Sequence, residues 1–245
     1  MPQVISLALF LALWQAGSLL GSDRLLPPPL EVALLVWAEA LSGALFVNLG
    51  ATLARVISAF VIAMALGVLI GYAMGRSERF NKFSDPWLII GLNLPALVVI
   101  VLAYIWMGLV EAAAILAVAL NKIPNTTVTL REGTRALDRN LDDIATVFRM
   151  DRWTRLRHIV LPQLGPYIAA ASRSGLSLIW KIVLVVELLG RPNGVGFEIG
   201  TAFQLFDVAR ILAYAFSFIA VMLVIELLLV QRLERYVYRW RPKRA

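Results

Sequence analysis

The sequence predicts an all-α, polytopic membrane protein with about six transmembrane helices, and three observations carry that prediction. Of its 245 residues 60% are hydrophobic and only 16% charged, whereas soluble domains run nearer half apolar and a quarter charged. The apolar residues are clustered in long runs of Leu, Val, Ile, Ala and Phe separated by short polar stretches. A run of about 18 or more such residues reads as a span, because roughly 20 residues at 1.5 Å rise cross a ~30 Å hydrocarbon core. The runs are also continuous rather than alternating, which excludes barrel strands. Lipid offers no hydrogen-bond partner, so each run must satisfy its own backbone as a helix.

The first span is expected at about Val4–Leu20. A cleaved signal peptide is the competing reading, but Met1-Pro2-Gln3 carries no charge and no clear A-x-A site follows. Leu26-Pro27-Pro28-Pro29 then forces an extended stretch. Leu30–Leu45, moderately apolar with Glu31 and Glu39, suits a helix lying at the outer interface. The second span is expected at Leu49–Met74, and Gly67, Gly71 and Gly75 form one groove along it where another backbone approaches closely. Packing within the chain is the simpler use of that groove, and a subunit contact is the alternative. The remaining spans are expected at Pro86–Met107, Leu109–Leu130, Pro166–Leu189 and Ile211–Val230.

Basic residues fix the expected orientation. Arg76, Arg79 and Lys82 follow the second span. Arg131, Arg135, Arg139, Arg149, Arg152, Arg155 and Arg157 crowd the loop after the fourth, and Arg232, Arg235, Arg239, Arg241, Lys243 and Arg244 close the chain. The alternate segments Gly21–Asn48 and Gly190–Asp207 hold a single arginine each, Arg24 and Arg191. Under the positive-inside rule both termini and the long basic loop are cytoplasmic, in a multi-pass protein of the bacterial inner membrane. The net charge of +7 is explained by these flanking residues, so no nucleic-acid partner is expected. There is no cysteine and one histidine, His158, which excludes disulfides, thiolate chemistry and a multi-histidine metal site.

The loop 131–165 is the informative hydrophilic segment. Asp142 or Asn140 can cap a short helix, and Asp143–Met150 places Ile144, Val147 and Phe148 along an apolar side. A second helical piece, Trp153–Val160, is expected to end at Leu161-Pro162. A pair of short helices with exposed apolar residues needs a covering surface, and another protein is the natural candidate.

At this point the residues resemble a known family. Permeases of type I ATP-binding-cassette importers have a cytoplasmic loop reading E-A-A, three residues, Gly, nine residues, then Ile-x-Leu-Pro. Asp143-Ile144-Ala145 stands at the E-A-A position, Arg149 at the Gly position, and Ile159-Val160-Leu161-Pro162 closes the motif at the family spacing. The chain is similar in particular to the nitrate/sulfonate/taurine branch. Leu26-Pro27-Pro28-Pro29 resembles its L-P-x-P stretch and Thr52-Leu53-Ala54-Arg55 its T-L-x-R. Glu187-Leu188-Leu189 with Gly194-Val195-Gly196-Phe197 resembles its E-L-(x)n-G-L-G-F segment.

The resemblance covers nearly the whole chain and implies one permease domain over 1–245, with a transport core at about 49–232. It implies that Asp143, Ile144, Ala145, Val147, Phe148, Arg149, Met150, Ile159, Leu161 and Pro162 dock an ATPase. The implied partners are a second permease copy, two cytoplasmic ATPase subunits and a periplasmic substrate-binding protein. ATP and magnesium would sit on the ATPase: this chain lacks G-x-x-x-x-G-K-[ST] and is expected to bind no cofactor and to catalyse nothing. Arg149 departs from the family. If its position needs a left-handed turn, a non-glycine residue there costs on the order of 1 kcal/mol.

Ionisable residues inside spans carry a functional expectation. Arg55 lies roughly 9 Å from the outer end of the second span and Lys181 roughly 12 Å from that of the fifth, at 1.5 Å per residue. Together with Asn93 and Ser177 they are candidate pathway residues, and two cations at similar depth would attract an anion, in keeping with a family that imports many oxyanions. A structural bridge between Arg55 and Glu187 is the alternative. Arg173, Ser177 and Lys181 share one helix face at i, i+4, i+8, and Arg173 is near enough to the helix end to snorkel. Asn93 with Pro95, and Asn121-Lys122 with Pro124, pair polar groups with helix breakers. Glu226 has no obvious partner in the sequence. An ion-coupled secondary transporter is the alternative function, although a mid-membrane acidic or histidine relay is absent apart from Glu226.

Overall fold

The computed structural model describes residues 2–20 and 25–230. Arg24 and the terminal basic cluster from Arg232 to Arg244 lie outside them, as does the expected placement of the C-terminus. The described residues form α1 (Pro2–Leu20), α2 (Pro29–Leu41), α3 (Ala44–Arg76), α4 (Glu78–Asn93), α5 (Ala96–Met107), α6 (Glu111–Arg135), α7 (Arg139–Val147), α8 (Arg152–Arg155), α9 (Leu161–Gly190), α10 (Val195–Gln204) and α11 (Val208–Ile225). Single π-helical turns at Leu156–Val160 and Glu226–Val230 extend α8 into α9 and continue α11. No strand occurs among the described residues.

Among the described residues three continuous helices are long and apolar enough to cross a membrane: Ala44–Arg76, Arg152–Gly190 and Val208–Leu228. The expected third span is a bent pair, α4 and α5, meeting at 97°, and it brings the number to four. The bend has a local cause. Leu94 precedes Pro95, whose ring disfavours helical backbone in the residue before it, and Leu94 is extended at φ −69°, ψ 123°. The other two expected spans are helices that fall short by length or composition. Ile5–Leu20 is apolar but short. The 25 residues of α6 are long enough, but Asn121, Lys122, Asn125, Thr126 and Thr127 lower the apolarity of its middle.

Several expected boundaries move. The interface helix ends at Leu41 rather than Leu45, because Gly43 turns the chain with φ 81°. Pro86 and Pro166 do not start spans; each lies inside a helix that begins earlier. Leu161-Pro162 does not end the second loop helix. Pro162 has no N–H to give, and the preceding π turn, closed by Leu161 N–H to the Leu156 carbonyl, carries the chain straight into α9.

By packing, the described residues divide into two units, one within Met1–Ala54 and Val183–Val224, the other within Arg55–Ile182 and Ile225–Ala245. In the first unit the Trp14 indole donates to the Pro27 carbonyl at 3.0 Å and stacks on Phe216 at 5.2 Å, fixing the proline stretch. In the second unit α4 and α5 pack on α6, and Met64, Leu130, Val160, Leu164 and Ala171 form a buried cluster. The glycine groove serves this unit. A Cβ on Gly67 would stand 2.5 Å from Thr126 Cβ, and one on Gly71 would stand 2.6 Å from the Thr127 carbonyl oxygen. Gly75 faces Thr134 equally closely. The groove is therefore filled by α6 of the same chain, at backbone-contact distance.

Gly71→Ala must push backbone away from backbone, so it is expected to destabilise the protein by ~1–3 kcal/mol. Gly50→Ala, with nothing within 4 Å of its new methyl, is expected to be neutral. Thermal unfolding of the two variants in detergent compares them directly.

Candidate functional site

The loop between α6 and α9 is tied to its surroundings by hydrogen bonds and ion pairs. Its first helix, α7, is capped by Asp138, whose Oδ1 accepts from the Asn140 N–H at 2.9 Å; neither Asn140 nor Asp142 caps it. The Asp138 N–H in turn donates to Gln163 Oε1 at 2.9 Å, tying the helix start to α9. Of the apolar residues in α7, Ala145 is buried, while Ile144, Val147 and Phe148 are 44%, 79% and 73% exposed. Asp143 and Arg149 are also exposed, Met150 is half-buried, Ile159 is buried in the π turn, and Leu161 and Pro162 are exposed at the start of α9. The loop thus presents one apolar row and hides the small residue beneath it.

Arg149 ends α7 in the left-handed conformation, φ 49°. Its N–H reaches the Thr146 carbonyl at 3.1 Å and the Met150 N–H reaches that of Ala145 at 2.9 Å. This double closure is the Schellman end, whose αL position is normally glycine. The arginine accepts the backbone strain that a glycine would avoid.

Asp142 has a different task from capping. Its carboxylate accepts from Arg76 at 2.8 Å and from Arg155 at 2.8 Å, so one acid ties α7 both to the end of α3 and to α8. The two guanidiniums, Arg76 first, hold the Asp142 carboxyl down at about 2. Arg76 lies 66 positions from Asp142, so no sequence spacing could reveal the pair.

Within the apolar helices the predicted charges separate. Arg55 is 3% exposed, and Glu111 grips it at 2.9–3.1 Å through Nε and a terminal nitrogen. Asn93, Ser177 and Lys181 are exposed. Asn93 Nδ2 donates to the Ile89 carbonyl at 2.8 Å, one turn back from the bend. Glu226 does have a partner, Arg173 at 3.4 Å, which the sequence separation of the two conceals. Lys122 is 1% exposed and lies over Gly175, where any Cβ would meet its Cε at 2.5 Å.

In the first unit three sequence motifs converge on Glu187, which has no exposure. Its Oε2 accepts from the Thr52 hydroxyl at 2.9 Å and from the Gly196 N–H at 2.8 Å. The Val195 N–H donates to Thr52 Oγ1 at 2.9 Å, and the Gly194 N–H donates to Asn48 Oδ1 at 2.8 Å. Nearby, Asn48 Nδ2 donates to Glu198 at 3.1 Å and the Tyr214 hydroxyl to Glu39 at 2.7 Å. Arg210 reaches both Glu39 and Glu198, at 3.2 and 3.1 Å.

Long apolar helices and a loop with an exposed apolar row fit a membrane permease, and comparison with known proteins gives the family. Residues 63–241 match the binding-protein-dependent transport system inner membrane component family, and the chain belongs to it. SsuC of Bacillus subtilis (strain 168), named as an aliphatic sulfonates transport permease protein, is 30% identical over 236 residues, spanning 96% of this chain and 85% of the relative. The nitrate import permease protein NrtB of Synechococcus elongatus is 25% identical, over 83% of this chain and 77% of its own. The bicarbonate transport system permease protein CmpB of the same organism is 28% identical, over 94% and 85%. A crystal structure of an amino acid ABC transporter shares the fold, with a TM-score of 0.62 at 18% identity over 82% of this chain and 95% of that one. The protein is thus a multi-pass inner-membrane permease subunit of an ATP-binding-cassette importer. It is non-catalytic, and a separate ATPase hydrolyses the ATP.

Two outcomes follow from the loop geometry. Arg149→Gly is expected to relieve up to about 1 kcal/mol of backbone strain, while Arg149→Val, β-branched in a left-handed position, is expected to lower the unfolding midpoint. The Asp142 carboxyl titrates below its ordinary 3.8, so its stabilisation is complete above about pH 4 and is lost as pH falls towards 2. Amide protection across residues 139–147, taken relative to the intrinsic exchange rate at each pH, is expected to fall over that window in the wild type, and to be low and flat in Asp142→Asn.

Proposed function

We propose that the loop 131–165 is the cytoplasmic docking element through which an ATPase subunit drives the permease, and that the transported substrate is a small organic or inorganic anion. The observation that carries the docking role is the row Ile144, Val147 and Phe148, left exposed on a helix that Asp142 pins to two arginines. An apolar row held this stiffly is suited to transmit a push, and burying it against a protein groove gains roughly 25 cal/mol for each Å² covered. In this reading Asp143, Arg149 and Met150 border the contact, and Ile159, Leu161 and Pro162 join it to α9. The positive-inside pattern of the sequence supports a cytoplasmic loop and cytoplasmic termini in this reading.

Two copies of the chain would enclose the pathway, each with one ATPase subunit carrying ATP and magnesium, and a periplasmic binding protein would deliver the substrate. Asn93, Ser177 and Lys181 are the pathway residues in this account, being polar and exposed on membrane helices where lipid contact is costly. Arg55, buried against Glu111, serves structure. An anionic cargo is supported by Lys181 and by relatives named for sulfonates, nitrate and bicarbonate.

Co-purification of the detergent-solubilised permease with its ATPase tests the docking role. The wild type is expected to retain the ATPase and to alter its turnover. Deletion of 143–157 and the single change Val147→Asp are each expected to lose at least ten-fold in retention; full retention by both would sink the proposal. Lys181→Gln is expected to keep the ATPase bound while lowering anion uptake in proteoliposomes.

A further inference from the structure

A second feature of the loop is not absorbed by docking. Where α3 ends, a cavity of about 500 Å³ is lined by Tyr72, Arg76, Arg152, Arg155, Leu156 and Val160. We propose that this cavity binds a phosphate-type anion, either the phosphate of an anionic lipid headgroup or a free oxyanion, as a bridge between α3 and α8.

The charge balance argues for it. Three guanidiniums line the cavity, and Arg76 and Arg155 share the single carboxylate of Asp142. Among the described residues no carboxylate pairs with Arg152. Two positive charges are therefore uncompensated, and a dianion entering the cavity would neutralise them. Each guanidinium is a planar fork suited to two phosphate oxygens. Arg76 is also held in place: its Nε donates to the Tyr72 hydroxyl at 3.3 Å and its guanidinium lies over the Tyr72 ring, 5.7 Å from the centroid. The arginines keep a third of their side-chain surface open, 35% each for Arg76 and Arg155, so an incoming anion can reach them.

Position argues for it as well. Arg76 is the last residue of a 33-residue apolar helix, longer than a ~30 Å hydrocarbon core requires, so the cavity sits at a polar end of a spanning helix and not within its apolar length. Tyr72, Leu156 and Val160 supply an apolar floor beneath the arginines. Basic pockets at such helix ends hold lipid headgroups. The occupant would reinforce what Asp142 does, fastening the loop to the membrane end of α3.

The test uses the full-length permease alone, so its outcome is separate from ATPase docking. Native mass spectrometry with phosphatidylglycerol or phosphatidylcholine reads the lipid source, and thermal stabilisation by inorganic phosphate reads the free source. Stabilisation by phosphate, or retention of phosphatidylglycerol over phosphatidylcholine, supports the site and identifies its source. Arg152→Gln is expected to weaken the effective probe at least ten-fold, and Arg152→Lys less. Arg157→Gln removes the same charge from an exposed position outside the cavity and is expected to change nothing. Binding of neither probe, or equal losses in Arg152→Gln and Arg157→Gln, would overturn the proposal.

Discussion

A carboxylate sealed from its surroundings, Glu187, is the constraint around which the first unit is arranged. A buried acid without donors is among the costliest groups a protein can carry, and here the donors are supplied by design of the local backbone. The Thr52 hydroxyl and the Gly196 N–H both point at Oε2. That geometry demands glycine twice over. Gly194 adopts φ 110°, and a Cβ there would strike the Glu187 carboxylate at 2.5 Å. At Gly196 a Cβ would collide with the Leu184 carbonyl and the Glu187 side chain. The turn before α10 exists in its observed form because it wraps a carboxylate.

Helix α3 then carries that order through the chain. Its first turns present Asn48 and Thr52 to the α9–α10 turn. Its middle offers Gly67 and Gly71 to the backbone of α6, and its last residue, Arg76, reaches the loop through Asp142. The same 33-residue helix thus contributes to the polar knot in the first unit and to the close-packed seam and the ion pair in the second.

This explains which parts were legible beforehand. Helical class, the apolar runs and the exposed row on α7 are periodic or compositional, so they could be read directly. The αL turn at Arg149 was legible through the family spacing, and the backbone adopts it despite the arginine. Long-range pairings were not legible. Arg76 with Asp142, Arg55 with Glu111 and Arg173 with Glu226 join residues whose separation follows no helical period. Helix ends at proline were misplaced for a related reason. Pro86 and Pro166 sit inside helices, as Pro124 does within the span expected to contain it; neighbouring helices in a bundle can re-satisfy the carbonyls a proline leaves free. At Pro95 the chain does break. The sequence offered no means of telling the two cases apart, since the difference lies in the surrounding packing.

The π turn at Leu156–Val160 absorbs a residue. It holds about one residue more than an α turn of the same total rotation. Removing that residue would restore an ordinary α turn and leave Ser177 and Lys181 facing nearly as they do now. Removing one residue from α9 ahead of Ser177 would instead swing both by about 100°. The junction between loop and α9 is therefore the place where the chain can gain or lose a residue without re-aiming the polar stripe some twenty residues downstream.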